Sequence, residues 1–154
     1  MLMRRFFTEF PSGLKGTALL SVRVVIGAAF ILHGWSKMQN PTGWMDGMGM
    51  STVPAFLQVL AALAEFAGGI ALILGLLSRV AAFGLVCQMV AALALVHLPR
   101  GDPFVAMGRS SFELPLINLA ISFLLVVLGP GRFSLDYLLF GRSVYVAPPK
   151  LQEV

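Results

Sequence analysis

Arg23, Glu65 and Gln88 interrupt stretches of chain that are otherwise almost wholly apolar. A guanidinium, a carboxylate and an amide in such surroundings can pair with each other, hold a polar ligand or move a proton. The chain is 58% hydrophobic and 12% charged, with mean hydropathy +0.88, which is more apolar surface than a soluble domain of 154 residues needs to bury. The setting is therefore a membrane. A charge at membrane depth costs roughly 2.5–3.5 kcal/mol on insertion scales, so it faces a bundle interior, a partner or a pathway.

Arg23, Gly27, Phe30, Gly34 and Lys37 recur at spacings of three and four, which is one helical face. His33 lies roughly 40° around the wheel from Lys37, at about 100° per residue. Gly27 and Gly34 let a second helix approach closely. Glu65 sits near the centre of the next apolar stretch, and Arg23 is expected about 7 Å nearer one membrane face, from 1.5 Å of rise per residue. An Arg23–Glu65 ion pair holding the bundle is the structural expectation. A proton-accepting Glu65 beside a bound substrate is the functional one, and both can hold at once. Lys37 either joins this network or snorkels to the headgroups.

A second group forms at one end. His33, Lys37, His97 and Glu113 are expected at a common depth, with Asn118 roughly 7–8 Å deeper and Gln88 mid-span. Two imidazoles, an ammonium and a carboxylate suit proton exchange with a carbonyl or hydroxyl ligand. Glu65, His33 and Glu113 are the candidates for proton transfer. Arg23, Lys37, Gln88, His97 and Asn118 are the candidates for binding. Gln88 can equally bridge helices, and His97 can simply be an interfacial histidine. Met45, Met48 and Met50 near His33 offer soft thioethers to Cu(I), but methionine is also a common interfacial filler, and no metal site is expected. The single cysteine, Cys87, cannot form an internal disulfide or a four-thiolate cluster, and reads as a small buried hydrophobe. No phosphate-binding glycine loop or nucleophilic triad is evident.

Four apolar segments must position these groups: 17–38, 53–77, 80–98 and 114–128. A spanning helix needs about 20 residues, so the fourth is short unless Glu113 and Gly129 lie at the interfaces. Backbone groups in the bilayer must be satisfied internally, which makes these helices, and nothing alternates with the period of a barrel strand. The expected fold is all-α, a four-helix membrane bundle. Ser51 or Thr52 is expected to cap the second span, with Pro54 near its first turn. The very short connection at Ser78-Arg79 makes the second and third spans an antiparallel hairpin. After Gly129-Pro130-Gly131, Ser134 is expected to cap a short amphipathic interfacial helix over 135–140, with Asp136 near its positive end.

The segment 1–16 reads as a cytoplasmic head, 17–137 as the membrane domain and 138–154 as a cytoplasmic tail. A cleaved signal peptide is rejected for the first segment, because it is long and carries Arg23, His33 and Lys37. With both termini inside, that side holds Arg4, Arg5, Lys15, Arg79, Arg132, Arg142 and Lys150, and the other holds Lys37, Arg100 and Arg109. This bias favours an N-in, C-in arrangement with loops 38–52 and 99–113 outside. The net charge of +4 thus reflects orientation in lipid rather than a nucleic-acid partner.

The run Arg23-x-x-x-Gly27-x-x-Phe30-x-x-His33-Gly34-x-x-Lys37 resembles the opening helix of DoxX family membrane proteins. Glu65-x-x-Gly68-Gly69-x-x-Leu72-x-x-Gly75-x-x-x-Arg79-x-Ala81-Ala82 is similar to their second motif, and Gly129-Pro130-Gly131-Arg132-Phe133-Ser134-Leu135-Asp136 to their closing one. With Glu113 these cover most of residues 20–137. The resemblance implies a four-helix, multi-pass protein of the bacterial inner membrane. One branch resembles the small subunit of thiosulfate:quinone oxidoreductase, which passes electrons to membrane quinone. Other members are associated with redox or maturation systems.

Two functions are open. One is a quinone-interacting membrane subunit of an oxidoreductase, with the soluble chemistry on a protein partner. The quinone tail would lie among Leu and Ala side chains and its carbonyls near His33 or His97. The other is a non-catalytic scaffold or assembly factor for a redox enzyme, in which the polar residues only pack helices. A small-molecule transporter is a third possibility, and four spans would then need a homo-oligomer.

Overall fold

The structure is a computed structural model that describes residues 10–49 and 53–141. Five helices follow one another: α1 Gly13–Met38, α2 Ala55–Leu74, α3 Ser78–Ala92, α4 Glu113–Leu128 and α5 Leu135–Phe140. No strand occurs among the described residues. Helix α3 runs on through a π turn, Leu93–His97, into a last α turn, Leu98–Arg100. Pro99 has no N–H to give to the ladder, and the turn just before it is the one that widens. Three helices are long and apolar enough to cross a membrane: Gly13–Met38, Ala55–Leu74 and Ser78–Arg100. Glu113–Leu128 is a shorter apolar helix. Val25, Leu32, Phe83 and Phe123 are exposed on the outside, as lipid-facing residues would be.

Helix α1 packs chiefly on α2, α3 on α4, and α2 on α3. The α1–α2 contact depends on missing side chains. A Cβ at Gly27 would fall 2.7 Å from the Gly69 carbonyl oxygen, and one at Gly34 would meet the backbone of Phe66. Real Cβ atoms do not come that close, so these glycines set how near the two helices lie and in which register. Leu19, Ile26, Phe30, Leu72, Leu85 and Leu125 form the centre of the core.

At one end the helices are joined by tight turns, and here the polar groups serve the backbone. Helix α2 stops at Gly75, which takes a left-handed conformation and donates its N–H to the end of the helix. Leu77 is also left-handed, with φ 47°, which is unusual for a residue with a side chain. Asp136 holds it there, accepting from the N–H groups of Leu77 at 2.7 Å and Ser78 at 2.9 Å. The carboxylate thus caps α3, while Ser134 caps α5 by accepting from the Tyr137 N–H. The Ser134 cap is as expected. Asp136 does lie in the first turn of α5, but its oxygens go to another helix.

The start of α2 departs from expectation. Its N-cap position is Pro54, which offers no side-chain cap, and Ser51 and Thr52 lie outside the described residues.

Candidate functional site

The expected Arg23–Glu65 pair does not form. Arg23 is buried and donates to four carbonyls: Leu72 at 2.8 Å, Ile73 at 3.0 Å, Pro130 at 2.6 Å and Phe133 at 2.8 Å. Two of these are among the last carbonyls of α2, where a cation is favoured. The other two belong to the turn after α4. The register explains the miss. Gly34 packs on Phe66, so Glu65 lies level with the far end of α1, and Gly34 is 11 residues, about 16 Å, from Arg23. Arg23 joins helices at the tight-turn end and lies outside the cavity described next. Arg79 acts similarly, donating to the Val126 and Val127 carbonyls near the end of α4.

Glu65 pairs instead with Lys37, Nζ to Oε1 at 2.5 Å. Gln88 donates to the same oxygen at 3.3 Å. The Lys37 ammonium also lies 4.4 Å from the centre of the Trp44 ring, a cation–π contact. The second oxygen, Oε2, is buried and has no hydrogen-bond partner among the described residues. An ionised carboxylate only accepts, so Oε2 is an open acceptor.

This trio forms part of the wall of a cavity of about 520 Å³. That size suits a small-molecule pocket. Phe30, His33 and Lys37 come from α1, and Ala61, Ala64 and Glu65 from α2. Gly84, Gln88 and Ala91 come from α3, His97 from its π turn, and Leu114 and Asn118 from α4. Six of the eight expected site residues therefore share one cavity: His33, Lys37, Glu65, Gln88, His97 and Asn118. Glu113 does not line it, although its neighbours Leu114 and Pro115 do. Glu113 opens α4 instead, its N–H donating to the Phe104 carbonyl. The expected four-group cluster thus loses Glu113 and gains Glu65.

His97 contributes through the π turn and is tied on its other side. Its Nδ1 lies 2.8 Å from Oδ2 of Asp102, which also accepts from the Ser110 hydroxyl at 2.8 Å. Asp102 is held below the usual carboxylate range, chiefly by the Ser110 hydrogen bond, against desolvation, and further by His97 and Arg100. Asp102 lies outside the spans and anchors the loop that follows α3.

Sequence reasoning missed Gln58. It is buried, and its side chain accepts from the Met45 N–H and donates to the Val53 carbonyl, each at 3.0 Å. Its own carbonyl accepts from the Trp44 indole at 3.0 Å. Gln58 therefore folds the loop over the cavity and sets the ring that faces Lys37. The available signal was a lone glutamine in the first turn of an apolar helix. Met45 is buried and Met48 exposed, both beside the cavity, while Met50 lies outside the described residues. Cys87 is exposed rather than buried.

The DoxX family model matches residues 18–98. The chain is 33% identical to "Inner membrane protein YqjF" of Escherichia coli over 82% of its own length and 95% of that protein's. It is 32% identical to "Putative oxidoreductase CatD" of Bacillus subtilis, covering 81% of this chain and 87% of the relative. A third relative, "Uncharacterized membrane protein Rv3486" of Mycobacterium tuberculosis, is 31% identical over 82% of this chain and 83% of its own. No solved structure gives a significant match.

Proposed function

Since the chain belongs to the DoxX family, we propose that it is a quinone-interacting membrane subunit of an oxidoreductase, built as an N-in, C-in four-helix bundle. It is a multi-pass inner-membrane protein. The short helix α4 completes the bundle in this reading, and α5 lies along the inner leaflet with Leu138, Leu139 and Phe140 exposed to lipid. The oxidoreductase name of the CatD relative supports the chemistry.

The observation that carries the reading is Oε2 of Glu65, a buried oxygen without a hydrogen-bond partner among the described residues, on a residue that lines the cavity with His33, Lys37, Gln88, His97 and Asn118. A quinone, when bound, supplies reversible two-electron, two-proton chemistry. The residues fit such a ring. Lys37 and Gln88 offer donors to a carbonyl oxygen, and Glu65 offers an acceptor to a hydroxyl. Lys37 and Glu65, in contact, can hand a proton between them beside the ligand. His33 and His97 line the same cavity, and His97 with Asp102 leads toward the loop surface. The electrons come from a protein partner in this reading.

The test is organic extraction and mass spectrometry on protein purified in mild detergent. Stoichiometric quinone that is lost in Glu65→Gln and His33→Ala variants of normal fold supports the proposal. Full retention of quinone in both variants removes Glu65 and His33 from the binding site, and full quinone-dependent turnover in both removes their proton roles.

A second reading, a scaffold for a redox enzyme, draws on one patch. Phe104, Val105 and Met107 of the loop between α3 and α4 are exposed, Met107 by 99%, and offer apolar surface to a partner protein. A co-purifying protein without quinone would favour it.

A further inference from the structure

We propose that the cavity takes its ligand sideways from the lipid, through the groove between α2 and α3, and that the ligand is an amphiphile with a hydroxyl at its polar end. The proposal rests on the Glu65 cavity but not on redox chemistry.

The groove follows from the small residues that α2 and α3 bring to the cavity. Near the tight turn α2 and α3 touch: a Cβ at Gly68 would lie 3.5–3.6 Å from the side chain of Leu85. One residue nearer the turn on α3, a Cβ at Gly84 would meet nothing within 4 Å, and Gly84 lines the cavity. Small residues of both helices line the cavity: Ala61 and Ala64 from α2, Gly84 and Ala91 from α3. Leu57, Leu60 and Leu95 line the cavity and are also 45%, 58% and 60% exposed on the outside. Residues that belong to both surfaces mark an opening. The long apolar helices α2 and α3 put that opening against acyl chains, not water.

The polar end follows from the open acceptor. Oε2 of Glu65 is buried and unpartnered, while Oε1 is taken by Lys37 and Gln88. A ligand with only acceptors leaves Oε2 unsatisfied, whereas a hydroxyl satisfies it. The apolar remainder of the ligand then lies along Ala61, Ala64 and Ala91 and leaves between Leu60 and Leu95.

The test uses the full chain in lipid nanodiscs with a 4-alkylphenol carrying a diazirine at the end of its tail. After irradiation, adducts are mapped by tandem mass spectrometry. The expected result is adducts concentrated on the segments holding Leu57, Leu60 and Leu95. 4-Decylphenol should compete at about 10-fold lower concentration than decylbenzene, from one hydrogen bond to a charged group. Gly84→Leu should abolish the competed labelling by filling the groove, and Ala91→Leu provides a second plug should the first fail to fold. Adducts spread evenly over all helices would overturn the side opening. Equal competition by decylbenzene would overturn the hydroxyl requirement. Specific labelling without any co-purified quinone would leave this proposal standing and remove the redox one. Co-purified quinone with evenly spread adducts would do the reverse.

Discussion

The ammonium of Lys37 reaches the carboxylate of Glu65 one helical turn beyond the point where Gly34 admits the backbone of Phe66. The two halves of the pair differ in burial: the Glu65 side chain is 3% exposed and that of Lys37 19%. Removing either partner should therefore have unequal effects.

Lys37→Met leaves a buried carboxylate without its cation and should cost about 3 kcal/mol. Glu65→Gln leaves an ammonium that still faces Trp44 and can turn toward the interface, so its cost should be smaller by roughly 1–2 kcal/mol. Unfolding of both variants and the double variant in detergent checks this, and the double variant should recover part of the Lys37→Met loss. Equal costs would mean that Glu65 does not depend on Lys37.

Arg23→Leu strips a cation from four carbonyls at the junction of α1, α2 and the turn after α4. A loss of about 3–5 kcal/mol is expected, on the scale of broken buried charge contacts. Arg23→Lys should not restore it, because one ammonium cannot reproduce the planar fork. The yield of monodisperse protein on size exclusion, with thermal unfolding, is the measurement.

Asp136→Ala removes the cap of α3 and the support of Leu77 in its left-handed conformation. A loss of about 1–2 kcal/mol is expected from the cap. Hydrogen exchange should speed up at the Leu77 and Ser78 amides before it changes anywhere in α1.

Two glycines should respond in opposite directions. Gly34→Ala pushes a Cβ into the Phe66 backbone and should cost about 1–3 kcal/mol. Gly84→Ala enters empty space within a helix and should be neutral or stabilising by up to about 1 kcal/mol. Thermal unfolding of the pair reads both at once.

The Ser110–Asp102–His97 contact carries a pH signature. Asp102 lies below its ordinary value of 3.8 in the folded protein. A depressed carboxylate contributes stability above the unfolded value, and the contribution is lost as pH falls through the lower folded value. Order in the loop between α3 and α4 should thus persist down to about pH 4 and fade below it. Asp102→Asn should abolish this dependence. Hydrogen exchange of the loop across a pH series, corrected for intrinsic rates, follows it.

The helices and most of the polar residues of the cavity wall could be read from the sequence, since the three-and-four spacing of Arg23 to Lys37 and the depth of Gln88 and Asn118 depend on helix geometry alone. The pairing of charges could not. It depends on how far α1 slides along α2, and that is fixed by Gly34 against the Phe66 backbone and Gly27 against Gly69. Read within their own spans, Arg23 and Glu65 differ in depth by only about 7 Å, yet the slide sets them far apart. Asp136 was legible as a helix-start residue, but that it serves α3 depends on tertiary folding. Gln58 escaped because a single amide in an apolar run has no periodic partner.

The four carbonyls around Arg23 also impose an order on biogenesis. A ribosome releases residue 23 long before residues 130 and 133, so the guanidinium spends the synthesis of three later helices without half of its final partners. A chain truncated just after α4 lacks the Pro130 and Phe133 carbonyls that close the set. The set of partners around Arg23 is thus completed only when the last turn has emerged.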